Sequence, residues 1–508
     1  MNTVGRQAAK IVDWFNGLTP WQKIAIIMGF ALLLRIYIII NAATISVDSA
    51  TDLGFAKAFI EGRLSEAIDP RRPPLHPLLV SLLYPLTGEL ELSARIVSLI
   101  FGILIIPLGF WLGRYIYDER TGLWTAFFIT LHPYLIRYSG ETLRETIYYF
   151  LAMAMVGLAM KAIMEKKAHL MILVGVLSAL AYLNKHAALG FLIIFTIWIA
   201  LRNIKGIKED WQRRLLLVGC GWLIFVLVAL FYLIFLYDET GRVTLTAKVV
   251  PYYILLDMLH TLTIRNTNIE VFLSRFPEAL SVPFVFFFGW YLVARRKEGF
   301  SEKEKFLLFV VAVYTVVHML ILPERRYFVR LTPFIAVFVA WGFERFTGWA
   351  DSRFRERGAL WVGTALVLIV VVQLYQGLTS LHAHRLPERL AGEWLLKEAG
   401  SGRTILARRP IVSFYAEGRF VYLRDELSIE ELLKYARENR AEFLAGYRKN
   451  LERVVRGFKD REKGRTLLQE LATFSVEEGR TYVIYRIVYH DEKQALLFHP
   501  LSLYIRIV

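Results

Sequence analysis

Cysteine is almost absent: the single thiol in 508 residues, Cys220, lies inside the apolar run 215–237. It can form no intramolecular disulfide and no cysteine-based metal site. There is no HExxH or other paired metal-ligand spacing, no phosphate loop, and no glycine pattern that opens a helix after a strand, so cytosolic nucleotide chemistry is disfavoured. No internal repeat or low-complexity stretch is visible. The opening residues, MNTVGRQAAKIVDWFNG, are too polar for a signal-peptide core, and the apolar run after them is long enough to stay in a membrane. That run reads as a retained first span.

Apolar surface is what the chain has instead. Hydrophobic residues make up 56% and aromatic residues 14% of it, with a mean hydropathy of +0.43, too apolar for a soluble protein of ordinary composition. The reading is a mainly α polytopic membrane protein with about eleven spans. Their cores fall near residues 21–43, 93–116, 123–138, 147–162, 170–183, 188–201, 215–237, 282–294, 305–322, 331–343 and 360–375.

Lys and Arg number 61 against 45 Asp and Glu, a net charge of +16. In a polytopic protein such an excess belongs in cytoplasmic loops, which makes nucleic-acid binding the weaker reading. The clusters Arg6/Lys10/Lys23, Arg114/Arg120, Lys161/Lys166/Lys167, RNIKGIKEDWQRR, RRKEGFSEKEK and ERFTGWADSRFRER all fall on one side of the span alternation. The positive-inside rule makes that face and the N-terminus cytoplasmic, and an odd span count puts the C-terminus outside. Residues 1–376 therefore read as the transmembrane domain, with an outer loop over 45–92, and residues 377–508 as a small extracytoplasmic α+β domain. In the latter, TILARR, RFVYLRD and TYVIYRIVY read as strands, and SIEELLKYARENRAEFLAGYRKNLERVVRGF has helical spacing. Short loops fit a prokaryotic cell membrane.

Most of the chemistry gathers on the outer face. Asp48 and Asp52 are four residues apart and would share one face of a helix. Asp48 reads either as a general base or as a helix N-cap, a role Ser49 could equally fill. Glu141 and Glu145 repeat the spacing in the second outer turn, beside Arg137 and Arg144, where ionisable groups at a span end need water, a cavity or partners. Arg71, Arg72, Lys185, Arg325, Arg326 and Arg330 are cations kept on the face the charge rule would empty. Lipid head groups or a phosphate-bearing substrate would account for them. His76 and His186 also lie on this face, and a His with a loop carboxylate could hold a divalent ion; a hydrogen-bonded structural role is the simpler reading for each.

Taken in order, the acidic first loop, PPLHP, the span RIVSLIFGIL beginning at Arg95, GRYIYDERTGLWTAFFITLHPYLIRYSGETLRETIYYFL and PERRYFVRLTPFIAVFVAWGFERF resemble the membrane-embedded GT-C glycosyltransferases. The likeness is to the branch of protein mannosyltransferases and aminoarabinose transferases, and it covers residues 21–345. The tail resembles the variable outer domain of some members. The resemblance implies a GT-C fold. It also implies transfer of a sugar from a polyprenyl-phosphate donor to a protein, lipid or glycan acceptor on the extracytoplasmic face, usually with inversion. Asp48 matches the first-loop acid at the reaction centre, and Glu145 the acid of the second outer turn, with Glu141 beside it. Arg72 falls at the basic position before Pro-Pro. Lys185, Arg325 and Arg326 match cations near the lipid phosphate, and Asp52, His76, Arg137 and Tyr327 complete the expected substrate-binding set. The sequence departs from the family where Ser49 follows Asp48 and where Arg71 stands at a position that is Glu in metal-binding members, so a divalent metal ion is left open. The competing class is a transporter or flippase of lipid-linked sugars. Against it, the chain lacks paired broken spans in two matching halves and has few charges deep in its spans.

Overall fold

Three helix starts are written into the sequence as capping boxes, TPWQ, SEKE and SIEE, in which a hydroxyl residue and an acid or amide three positions later satisfy each other's backbone N–H. All three form. Thr19 N donates to Gln22 Oε1 at 2.9 Å, Ser301 N to Glu304 Oε2 at 2.8 Å, and Ser428 N to Glu431 Oε2 at 2.7 Å. The computed structural model describes residues 13–201, 211–247, 266–321, 323–354, 357–458, 468–475, 481–489 and 503–506. The basic residues Arg6 and Lys10 and the stretch RNIKGIKED lie outside the described residues. The chain divides into two compact units, Met1–Ile40 with Phe55–Thr379, and Asn41–Gly54 with Ser380–Val508.

The first unit is helical. Its elements are α1 (Pro20–Ile40), the end of α2 (Val47–Ile60), α3 (Leu64–Ala67), α4 (Leu75–Thr87), α5 (Leu90–Ile116), α6 (Glu119–Leu131), α7 (Pro133–Gly140), α8 (Glu145–Met164), α9 (Ala168–Asn184), α10 (Leu189–Leu201), α11 (Trp211–Thr240), α12 (Asn266–Leu280), α13 (Val282–Glu298), α14 (Glu302–Ile321), α15 (Arg325–Phe328), α16 (Thr332–Phe354) and α17 (Gly358–Gly377). The apolar cores read from the sequence lie largely on helix, although the first leaves it after Ile40 and Leu322 lies outside the described residues, and the protein is a multi-pass membrane protein. Among the described residues, six helices are long and apolar enough to cross a bilayer, or seven if α12 and α13, bent by 100°, count as one span; α4, α9 and the run 186–201 are shorter apolar helices. The expected run 123–138 is broken where His132 adopts an extended conformation before Pro133, the first residue of α7, because the residue before proline is pushed out of the helical region. The expected outer loop 45–92 is itself mostly helix.

Helices in a membrane gain little from hydrophobicity against one another, so small residues that let backbones approach carry the packing. A Cβ built on Gly122 of α6 would lie 2.6 Å from the Phe110 carbonyl oxygen of α5, and one on Gly342 of α16 would clash with the Phe287 carbonyl oxygen of α13. Around the second contact, Phe343 sits edge-to-face against Trp124, Phe128 and Phe287 at 4.7, 5.6 and 5.2 Å. Gly342→Ala should therefore cost about 2 kcal/mol through forced separation of α13 and α16. Gly348→Ala on the same helix meets nothing within 4 Å and serves as its control. Thermal unfolding of the solubilised protein checks this; equal midpoints for the two variants would refute the close contact.

The second unit is an α+β domain. A six-stranded sheet runs in the order β2 (Arg419–Tyr422), β1 (Thr404–Ala407), β4 (Phe443–Tyr447), β7 (Thr481–Ile487), β6 (Leu468–Ser475) and β8 (Leu503–Arg506), with β3 (Leu427–Ser428) and β5 (Val455–Arg456) paired separately. The first three strands are parallel, with Leu406 opposite both Val421 and Leu444, and β7 runs antiparallel to β4 and β6. Alternate strand residues serve opposite faces. Leu406, Leu444 and Val483 pack with Leu432 and Ala436 of α20 (Ile429–Glu438), whereas Ile405, Ala445 and Ile484 pack with Ala391 and Leu395 of α18 (Leu386–Ala399) and Val412 of α19 (Ile411–Tyr415). One sequence expectation is corrected here. The charged stretch from Ser428 onward is not continuous helix: after α20 it turns into the buried strand β4, then into α21 (Arg448–Val454). FLAGY is short and flanked by charge, so its burial on both faces left no alternation to detect.

Candidate active site

The helices α8 and α9 run out and back, which brings the first turn of one beside the end of the other. Residues 40 positions apart in sequence thereby meet: Asn184 Nδ2 donates to the Arg144 carbonyl at 2.9 Å, and Arg144 Nη1 donates to the Asn184 carbonyl at 3.4 Å. One residue further along each helix, Lys185 Nζ donates to Glu145 Oε1 in an ion pair whose side chains are 15% and 9% exposed. Two sequence candidates, Glu145 and Lys185, are thus joined directly.

The pair does not stand alone. Arg330, in the turn Val329–Leu331 before α16, is 5% exposed. Its Nη1 donates to the Tyr314 hydroxyl at 3.3 Å, and its guanidinium lies over the rings of Tyr148, at 5.1 Å, and Tyr327, at 4.6 Å. The Tyr148 and Tyr314 hydroxyls are 2.8 Å apart, and His318 stacks on Tyr314 at 4.2 Å. Lys185 lies in the turn between α9 and the following helix, outside both. Burial pulls its ammonium below the ordinary value, Glu145 opposes this, and Arg330 and Arg144 add to it. Lys185 thus pairs with the buried Glu145 carboxylate while Arg330 and Arg144 lie within its electrostatic reach, a desolvated setting in which like charges are costly unless an anion arrives. Glu145 Oε2 and Arg330 Nε have no hydrogen-bond partner among the described residues, so the cluster keeps unspent donor and acceptor capacity. An arginine fork, an ammonium and tyrosine hydroxyls around one point are a receptor for phosphate.

Other candidates are placed differently. Glu141 is buried, and Arg137, within its electrostatic reach, donates to the Thr379 carbonyl at 2.7 Å. Arg325 and Arg326 are about half exposed and already engaged, Arg325 with Glu278 and Arg326 with Glu324, while Tyr327 joins Arg330. Asp69, Pro70, Arg71 and Arg72 form a tight turn, with Arg72 N donating to the Asp69 carbonyl at 3.1 Å and Arg71 N to Asp69 Oδ1 at 2.7 Å, as an Asp-Pro start favours. The Tyr232 hydroxyl ties this turn to α11 at 3.3 Å. His76 is fully buried in the first turn of α4. His186 is structural: Tyr232 and Thr246 hydroxyls engage its two ring nitrogens at 3.2 and 3.0 Å. Among the described residues, no group of three or more His, Cys, Asp or Glu side chains could hold a metal ion.

Asp48 and Asp52 belong to the second unit. The helix α2 is capped by Ser46, whose Oγ accepts from Ser49 N at 3.2 Å; neither Asp48 nor Ser49 is the cap. Asp48 sits exposed in the first turn, and Asp52, one turn on, is fully buried. Sequence reasoning missed Tyr148 and Tyr314 and left His318 out of the site; it named Arg330 among the outer cations without including it in the substrate-binding set. The available signal was spacing, since Tyr148 follows Arg144 by four residues and His318 follows Tyr314 by four, placing each pair on one helix face.

A model of the dolichyl-phosphate-mannose-protein mannosyltransferase family matches residues 71–237. Among solved structures, ArnT from Cupriavidus metallidurans bound to undecaprenyl phosphate superposes over 92% of this chain and 98% of its own, with a TM-score of 0.61 and 12% identity. The archaeal oligosaccharyltransferase AglB from Archaeoglobus fulgidus, in complex with an inhibitory peptide and a dolichol-phosphate, superposes over 85% of this chain and 70% of its own, with a TM-score of 0.58 and 12% identity. No curated protein sequence matches the chain. The fold is that of these membrane-embedded enzymes.

Proposed function

We propose that this GT-C-fold membrane glycosyltransferase moves a sugar from a polyprenyl-phosphate donor to an acceptor hydroxyl or amine, with the donor phosphate received by Lys185, Arg330 and Arg144. The observation that carries the reading is the buried cluster in which Lys185 pairs with the Glu145 carboxylate, with Arg144 and Arg330 within its electrostatic reach and Arg330 lying over the rings of Tyr148 and Tyr327. The lipid phosphates in the two structural neighbours support it.

The chemistry needs little more. In a single displacement the acceptor's lone pair attacks C1 as the C1–O bond to phosphate breaks, through an oxocarbenium-like transition state, and the stereochemistry inverts. The electron pair leaves on the phosphate, where fixed cations stabilise it. The acceptor proton passes to a carboxylate, and Asp48 is the base in this reading: exposed and spared the capping role by Ser46. Glu145 holds Lys185 in place. No general acid is required, because a phosphate is already a good leaving group.

The test uses the full chain in vesicles carrying polyprenyl-phosphate sugars with radiolabel in the sugar. The expected result is label leaving the lipid fraction while unglycosylated polyprenyl phosphate accumulates, with the labelled product identifying the acceptor. Label that crosses the bilayer yet stays on the lipid would instead favour a flippase, and a panel of donor sugars left wholly unconsumed would refute the transferase.

A further inference from the structure

The second unit contains not only residues 380–508 but also Asn41–Gly54, the segment that carries Asp48. Its backbone is held residue by residue. Ser380 Oγ donates to the Asn41 carbonyl at 2.6 Å, Ala43 N donates to the Leu381 carbonyl at 3.1 Å, and Arg389 Nη1 of α18 donates to the Ala43 carbonyl at 3.2 Å. The next two residues converge on one atom: Thr44 Oγ1 and Ile45 N both donate to the Tyr415 hydroxyl at 3.3 Å. Tyr415 ends α19, and its ring is backed by the Arg389 guanidinium at 5.1 Å, so two elements of the domain act on the same strip of chain. Thr44, Ile45 and Ser46 are buried. Ser46 then caps α2, bonded also to Ser49 Oγ at 2.7 Å, and Asp48 follows in the first helical turn.

We infer that Tyr415 is a positioning residue, through which the C-terminal domain fixes the approach of the chain to α2 and thereby the setting of Asp48. The inference rests on the reading of Asp48 as the base. Physically, Ile45 N–H is a buried donor just outside the helix that needs an acceptor, and a single hydroxyl that satisfies both Ile45 and Thr44 leaves Ser46 one entry geometry. A reacting carboxylate displaced by about 1 Å loses on the order of a hundredfold in rate, so such an anchor acts on turnover more than on folding.

The experiment compares wild type, Tyr415→Phe and Thr44→Val as full-length proteins in donor-bearing vesicles, with Asp48→Asn alone and combined with Tyr415→Phe. Tyr415→Phe keeps the ring against Arg389 and removes the hydroxyl that Thr44 and Ile45 share. The expected result is a fall in kcat of about tenfold at unchanged donor KM, with a melting midpoint lowered only as far as the unsatisfied Ile45 N–H requires. Amide hydrogen exchange over residues 41–54 should quicken, Thr44→Val should fall between, and the double variant should lose nothing beyond Asp48→Asn. Wild-type kcat and exchange in Tyr415→Phe would overturn the inference and leave the base assignment untouched. Full kcat in Asp48→Asn would overturn the base assignment itself, and exchange would still report whether Tyr415 anchors the segment.

Discussion

Asp48→Asn is expected to lower sugar transfer by about a thousandfold, within the range a positioned general base contributes, with donor binding and thermal midpoint close to wild type. Asparagine is nearly isosteric and still accepts a hydrogen bond, but it cannot take the acceptor's proton. Two features of the structure make the substitution a clean probe. The cap of α2 is Ser46, so the loss of about 1 kcal/mol that follows removal of an N-cap does not apply. Asp48 is also exposed, and the helix-dipole contribution of one first-turn charge is about 0.3–1 kcal/mol.

Asp52→Asn supplies the contrast. That carboxylate is fully buried one turn on, and its replacement should read first in the melting midpoint. Donor consumption measured beside thermal unfolding separates the two. Retention of wild-type kcat by Asp48→Asn would end its assignment as base.

Local signals were legible in the sequence and non-local ones were not. TPWQ and SEKE specify their helix starts because a capping box is closed within four residues, and the span cores stand out because a bilayer-length apolar run needs no partner to be recognised. The cation cluster is different in kind. Lys185 meets Glu145 only because the end of α9 returns beside the start of α8, and Tyr148 meets Tyr314 across 166 positions, a separation that carries no periodic trace. Arg325 and Arg326 stood out as a basic pair, yet adjacent residues on a short helix do not share a face, and both are taken up by nearby glutamates. Arg330, which is buried instead, was one more arginine in a basic stretch. The same logic hid Ser46. Asp48 and Ser49 are both good caps by type, and only the path of the chain past Tyr415 decides which residue enters α2 first.

Removing the ammonium of the buried pair should give the other large effect. Lys185→Met keeps the volume and strips the charge, leaving Glu145 to Arg330 and Arg144, which lie within its electrostatic reach. Breaking a buried ion pair costs about 3–5 kcal/mol, and those two arginines put this variant at the lower end. Glu145→Gln should cost more, because it leaves Lys185, Arg330 and Arg144 without the carboxylate they face. If the pair serves only the fold, the double variant Glu145→Gln/Lys185→Met should regain stability and transfer together. If Lys185 receives the departing phosphate, the double variant should be more stable than Glu145→Gln, with one fewer uncompensated buried cation, yet stay below wild type because Arg330 and Arg144 still lack the carboxylate. Its transfer should nonetheless stay at least about a hundredfold down, the scale on which loss of one fixed donor to a developing charge is felt. Thermal unfolding and donor consumption, measured on the four proteins of the cycle, decide between these outcomes. Transfer restored with stability would make Lys185 a structural cation and leave Arg330 as the phosphate ligand to test.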